Sequence, residues 1–281
     1  MKILSFQSAV AYGHVGNSAA VFPLQRLGFE VWPVDTVQFS NHPGHGQWRG
    51  LALPAAHLGD MVEGLDAVGA IAGADAVLSG YLGQPGSVDA VRTAVSRLRQ
   101  AKPQAIYLCD PVMGDEGGGL YVDPALPHLF ATALLPLADL VTPNRFELSI
   151  LTGQSTNTLA EASAAARLLL ERGPRQVVVT GLDIPGGMVA CLAVAAEGAW
   201  AVRTPRLAFA ITPNGAGDLL SALVLAHTLR GTEFPEALAL AVSSLYGILE
   251  RTRAEGRREL ALVAAQDELA APSRFFPPLA V

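Results

Sequence analysis

Lysine is almost missing from this chain: of its 19 basic residues only Lys2 and Lys102 are lysines. Neither follows a glycine, so the phosphate-binding pattern G-x-x-x-x-G-K-[ST] is excluded, and no G-x-G-x-x-G dinucleotide fingerprint occurs. Lys2 opens a strand-like run and Lys102 closes a helix-like one, so neither is placed to hold a pyridoxal phosphate cofactor as a Schiff base. Cysteine is nearly as scarce: Cys109 and Cys191 are too few for a disulfide framework and lack metal-ligand spacing. No basic run offsets the net charge of −6, which argues against a nucleic-acid partner. No apolar segment reaches the ~18 residues that would span a bilayer. Residues 2–7 read as a strand rather than a signal peptide. The expectation is a soluble, reduced, cytoplasmic protein with no membrane or nucleic-acid partner.

What is present points to one α/β domain over residues 1–281, because 51% hydrophobic residues in a chain of this length can bury one large core. Buried-strand runs at 3–7, 31–37, 76–79, 105–109, 140–142 and 176–180 alternate with helical patterns at 17–27, 58–68, 87–102, 125–134 and 159–172. That rhythm predicts a mostly parallel sheet with helices on both faces and ligands beyond the strands' carboxyl ends. Residues 188–195 and 199–203 read as an antiparallel edge pair, and a helix from about 235 to 253 is expected to pack behind the one that follows Asp218.

The stretch Ile211-Thr-Pro-Asn-Gly-Ala-Gly-Asp218 runs straight into the apolar segment 219–229. Gly215 and Gly217 allow a sharp turn and a close ligand approach, and the helix start offers unpaired N–H groups and a positive dipole end to an anion. Asp218 in that cradle either caps the helix or takes a proton from a hydroxyl. Asp110 ends a strand before Pro111, placing a carboxylate at the ligand edge. Gly117-Gly-Gly119 favours a short flap over the site at about 114–122 rather than a packed segment, the other reading being a plain surface loop. Asn144 and Glu147 stand one helical turn apart, which suits either a capping box or ligands of a hydrated Mg²⁺. Ser8 and Tyr81 follow strands and read as ligand contacts or as ordinary loop and core residues. His42 and His45 have no carboxylate or cysteine near them in sequence, so a substrate-lining loop is expected there rather than a metal site.

These segments together resemble the pyridoxal kinase family of the ribokinase-like superfamily. The resemblance rests on Gln7-Ser8 with Tyr12-Gly13-His14 and Gly16-Asn17, on Val37-Gln-Phe-Ser-Asn-His42, Ser79-Gly-Tyr81 and Cys109-Asp-Pro-Val-Met-Gly114, and on Thr142-Pro-Asn-x-x-Glu147 and Gly215-x-Gly-Asp218, in that order. It runs from Ile3 to about Gln266, and the Val263-Ala-Ala-Gln-Asp267 ending is similar to the bacterial branch. It implies a three-layer α/β/α sandwich and ATP-dependent phosphorylation of the 5′-hydroxyl of pyridoxal. Asp218 would be the general base, with Gly215, Ala216 and Gly217 as the anion hole. Ser8, His42, Pro43, Gly44 and Tyr81 would hold the pyridine ring. Asp110, Asp115, Tyr121, Thr142, Asn144, Glu147 and Thr180 would serve ATP, with Asp110 and Glu147 holding Mg²⁺ directly or through water. Thr204, Pro205, Arg206 and Leu207 would form an adenine-side loop. K⁺ is a further candidate cation, with monovalent dependence left open, and a homodimer is also implied.

One departure bears on the substrate. Pro43 stands where the resemblance implies a threonine, and proline offers neither hydroxyl nor N–H, so that contact is either lost or replaced, with His42 and His45 as the candidate substitutes. Rival readings are a hydroxymethylpyrimidine kinase and a non-catalytic vitamin B6-binding protein on a kinase fold.

Overall fold

Nearly every apolar run joins a single ten-stranded sheet. The computed structural model describes residues 1–281. The chain runs β1 (Lys2–Tyr12), α1 (Asn17–Arg26), β2 (Glu30–Asn41), β3 (Gly50–Ala52), α2 (Ala55–Ala67), α3 (Ala70–Gly73), β4 (Ala76–Ser79), α4 (Ser87–Ala101) and β5 (Ile106–Cys109). A small hairpin, β6 (Gly114–Asp115) with β7 (Gly119–Leu120), leads to α5 (Leu126–Leu129), β8 (Leu140–Val141), α6 (Arg145–Thr152) and α7 (Leu159–Leu170). The remainder is β9 (Gln176–Ile184), β10 (Met188–Ala195), β11 (Gly198–Pro205), α8 (Ala216–Leu229), α9 (Phe234–Ala254), α10 (Asp267–Ala270) and β12 (Pro278–Ala280).

The main sheet has the order β12-β11-β10-β9-β8-β5-β4-β1-β2-β3. Its centre, from β2 to β9, is parallel, and both ends are antiparallel. Sequence reading anticipates one antiparallel edge; the second exists because β3 folds back onto β2. Strand residues alternate between two cores. Leu4, Val77 and Val179 pack with α2, α4 and α7, whereas Ile3, Leu78 and Val178 pack with α1, α8 and α9. That is the expected α/β/α sandwich, and burial on both sides explains why the central strands read as unbroken apolar runs. No helix is long and apolar enough to cross a membrane.

Several boundaries move for physical reasons. Strand β1 continues to Tyr12 and β2 to Asn41, because the two pair along their extended ends past a bulge at Ser8. Residues 37–41, read from sequence as a loop after a strand, are therefore strand. The helix expected over 125–134 is broken: α5 gives way to a π-helical turn, Phe130–Leu134, and a 3₁₀ turn, Leu135–Leu137. Pro136 has no N–H with which to continue the α ladder. At β1 the connections diverge, one going to β2 and the later one to β4 on the other side. A crevice opens there, outside the strands' carboxyl ends.

Candidate active site

The crevice is a cleft of about 670 Å³. From the β1, β2 and β4 side it is lined by Ser8, His42, Pro43, Gly44 and Tyr81, and from the β5, β8 and β9 side by Asp110, Thr142, Asn144, Glu147 and Thr180. Asp115 and Tyr121 of the β6–β7 hairpin border it, and Gly215, Gly217 and Asp218 enter from the start of α8. Residues spread over more than 200 positions of sequence thus share one cavity.

Each is placed by local structure. A bulge turns Ser8 out of the β1–β2 ladder toward the cleft. Thr180 lies at a register shift in β9, next to Gly181 at φ +72°, and its N–H bonds the Pro143 carbonyl just beyond the end of β8. Gly215 caps α8 at φ +86° and its Cα lies against the His14 carbonyl, so a Cβ there would have neither a relaxed backbone nor room. Nothing lies within 4 Å of a Cβ built on Gly217, so that side of the turn is open to a ligand. Asp218 occupies the first turn of α8, at the positive end of its dipole.

Asn144 and Glu147 form a complete capping box at the start of α6. They also hold the hairpin: the Asn144 amide donates to the Gly114 carbonyl at 2.8 Å, and the Met113 N–H donates to Glu147 at 2.9 Å. An ion pair between Glu116 and Arg145 adds a third tether. The capping reading of this pair is thus observed, with both Glu147 oxygens and both ends of the Asn144 amide engaged by the chain itself.

Four carboxylates line the cleft, from Asp110, Asp115, Glu147 and Asp218, and no lysine or arginine accompanies them. Burial pushes the Asp110 carboxyl well above the usual carboxylate range, and the neighbouring Glu147 and Asp218 push it further. Burial also raises Glu147, and it raises Asp218 against the pull of a hydrogen bond from the Gly16 backbone. Four acidic side chains with no basic side chain beside them offer phosphates no countercharge except the start of α8, so a cation is the expected companion of a phosphate here. No three His, Cys, Asp or Glu side chains gather into a closed cage. One or two carboxylates beside an open cleft are instead the donor set of a largely hydrated Mg²⁺, and Asp110 and Glu147 fit it.

The phosphomethylpyrimidine kinase family model matches residues 60–261. A pyridoxal kinase PdxY from Deinococcus radiodurans is 52% identical over 282 residues, covering 98% of this chain and 95% of the relative. The chain belongs to the pyridoxal kinase family. A second family member, from Rubrobacter xylanophilus, is 50% identical over 281 residues, covering 99% of this chain and 96% of its own. The structure of the Leishmania donovani pyridoxal kinase in complex with ADP and pyridoxamine superposes with a TM-score of 0.94 at 30% identity, covering 100% of this chain and 99% of that one. The fold is accordingly the ribokinase-like three-layer sandwich of the pyridoxal kinases.

Five of the sequence-derived positions lie outside the cleft lining. Ala216 turns away between its two glycines. Thr204 and Pro205 end β11 paired with the start of β10, Arg206 pairs with Asp183 and donates its N–H to the Gly187 carbonyl, and Leu207 follows them outside the lining. Sequence reading also missed several residues. Phe39 and Trp48 line the cleft with ring centroids 4.3 Å apart, supplying aromatic surface beside Tyr81. Strand alternation from Val37 to Phe39 was the available signal for the first, whereas nothing local marks Trp48. Ser221, one turn beyond Asp218, donates to Asp110 at 2.8 Å and lies 2.8 Å from the Thr142 hydroxyl. It ties α8 to the ends of β5 and β8, and its i+3 spacing from Asp218 was the legible clue.

The histidine loop is resolved by long-range contacts. The Gly44 N–H donates to His42 Nδ1 at 3.1 Å, and burial holds the His42 pKa below its ordinary value. The neutral ring therefore carries its proton on Nε2 and remains a donor for the cleft. His45 is occupied elsewhere, with Glu259 at 2.6 Å. Of the two imidazoles offered as substitutes for the contact absent at Pro43, His42 is the one that lines the cavity.

Proposed function

We propose that this protein transfers the γ-phosphoryl group of ATP to the 5′-hydroxyl of pyridoxal, giving pyridoxal 5′-phosphate and ADP. The observation that carries this reading is the placement of Asp218 and Gly215–Gly217 at a helix start that opens into the same cleft as an aromatic-lined ring pocket. Asp218 takes the hydroxyl proton as the oxygen attacks the γ-phosphorus in line. The N–H groups at the start of α8 and the helix dipole stabilise charge building on the transferred phosphoryl. Asp110 and Glu147 would hold Mg²⁺, which when bound neutralises phosphate charge and orients the nucleotide. K⁺ is the companion cation the family resemblance adds. Asp115 and Tyr121 border the phosphate end on the hairpin, where closure would exclude water. At the other end Phe39, Trp48 and Tyr81 enclose a flat ring, with Ser8 and the His42 Nε2–H as polar contacts.

The match to the phosphomethylpyrimidine kinase family favours hydroxymethylpyrimidine as the second reading. Coupled ADP-release assays with pyridoxal, pyridoxine, pyridoxamine and hydroxymethylpyrimidine decide between them. The highest kcat/KM is expected for a B6 vitamer, and His42→Ala should raise KM for that vitamer about tenfold while leaving KM for ATP unchanged, the loss of one polar contact. A higher kcat/KM for hydroxymethylpyrimidine overturns the assignment, and binding of pyridoxal without ADP release would indicate a carrier.

Two reduced cysteines accord with a cytoplasmic enzyme. A homodimer is supported by the free outer edge of β3, where Leu51 is 54% exposed beside Trp48 at 44%. Light scattering should return twice the 29.3 kDa chain mass, and a single-chain mass refutes the dimer.

A further inference from the structure

Three acidic residues are no more than 6% exposed, Asp110, Glu147 and Glu259, and the transfer chemistry leaves the last unused. Glu259 is 6% exposed and reaches the site from the segment after α9. Its two oxygens serve two different loops. One accepts a hydrogen bond from His45 Nε2 at 2.6 Å, and the other accepts the His14 backbone N–H at 3.1 Å.

Both loops belong to the cleft. His45 closes the 3₁₀ turn Pro43–His45, whose Pro43 and Gly44 line the cavity with His42. His14 lies on the loop after β1, where its carbonyl abuts Gly215, and two residues on the Gly16 N–H reaches Asp218. The adjacent Arg258 donates to the Gly44 carbonyl, so two consecutive residues grip the same turn. The Tyr12 ring packs edge-on to His45 with centroids 5.7 Å apart. Gly13, at φ +101°, leaves the Glu259 carboxylate the space a Cβ would take. A buried carboxylate with so few partners is costly unless those partners are well made, and charge-assisted hydrogen bonds are about twice as strong as neutral ones.

We propose that Glu259 is a positioning residue for substrate: by bridging His45 and the His14 backbone it sets the Pro43–His45 turn against the β1 loop and so determines how tightly the vitamer ring is held. The proposal rests on the pyridoxal reading above. Its effect is expected in the ring pocket, because the Pro43–His45 turn that Glu259 grips lines that end of the cleft, whereas Gly215 and Asp218, though they meet the β1 loop, are also held by the start of α8.

Steady-state kinetics on the full-length Glu259→Ala, Glu259→Gln, His45→Ala and Glu259→Ala/His45→Ala proteins test it. Glu259→Ala and His45→Ala should each raise KM for pyridoxal about tenfold, with KM for ATP and kcat changed less than threefold. The double variant should be no worse than Glu259→Ala, because one bridge is broken either way. In Glu259→Gln the amide oxygen can still accept the His14 N–H and the NH₂ can reach His45 Nε2 only as a neutral donor, so the charge-assisted bond is lost and its KM should fall between wild type and Glu259→Ala. Should Glu259→Ala fail to fold, Glu259→Gln and His45→Ala carry the comparison. A KM for pyridoxal within twofold of wild type, a fall in kcat with KM unmoved, an equal rise in KM for ATP, or additive effects in the double variant overturns the proposal. If the wild-type protein itself prefers hydroxymethylpyrimidine, the substrate reading has failed instead, and the same comparison is made with that substrate.

Discussion

Replacing Asp218 with asparagine should lower kcat by about 10²- to 10⁴-fold and leave KM for both substrates within about twofold, since positioned proton transfer is worth that much. The substitution keeps the volume of the side chain and its place in the first turn of α8, so the fold and the Gly215–Gly217 turn are expected to survive. What is lost is the capacity to accept a proton. Burial raises the pKa of Asp218 above its ordinary value of 3.8, which makes the carboxylate a stronger base toward a hydroxyl than a solvated aspartate. The Gly16 N–H moderates that shift and keeps the ionised form accessible. Stopped-time assays of pyridoxal 5′-phosphate formation, with substrate affinity measured separately, make the check. Near-normal turnover, or a loss confined to KM, removes Asp218 as the base.

The second large effect concerns the cation. With four carboxylates and no lysine or arginine lining the cleft, phosphates of ATP would enter an uncompensated negative field. Chelation by EDTA should therefore lower turnover by on the order of 10³-fold, corresponding to several kcal/mol of charge stabilisation, and added Mg²⁺ should restore it. Asp110 is the cleaner residue to alter, because Glu147 also caps α6 and anchors the hairpin. Asp110→Asn should raise the Mg²⁺ concentration for half-maximal rate about tenfold or more, while Ser221, itself bonded to the Thr142 hydroxyl, continues to hold the side chain. Turnover that persists in chelator, or an unchanged Mg²⁺ dependence in Asp110→Asn, removes the metal assignment.

Much of this site was legible along the chain, and the reason is local. Gly215, Gly217 and Asp218 are consecutive with an apolar helix, so turn, dipole and carboxylate are specified within a few residues of one another. Asn144 and Glu147 carry a capping spacing that holds whether or not a cation is present. Asp110 sits between an apolar run and a proline, which locates a strand end without reference to the rest of the fold. Phe39 escaped because the extension of β2 arises from its pairing with the extended β1 on one side and β3 on the other, and Trp48 because it lies in the connection between β2 and β3. Ser221 escaped because its i+3 spacing from Asp218 marks only a shared helix face, and the groups it bonds lie at the ends of β5 and β8.

By itself the sequence determined the strand–helix rhythm, the two-faced burial of the central strands, the glycine turn at the start of α8 and the family, because each is written in periods of two or 3.6 residues or in short motifs. Tertiary structure alone decided which histidine faces the cleft, that Ser8 is turned outward by a bulge, and that Glu259 lies beside His45, 214 positions away. Those outcomes depend on pairing and packing between distant segments, whose register no local pattern encodes.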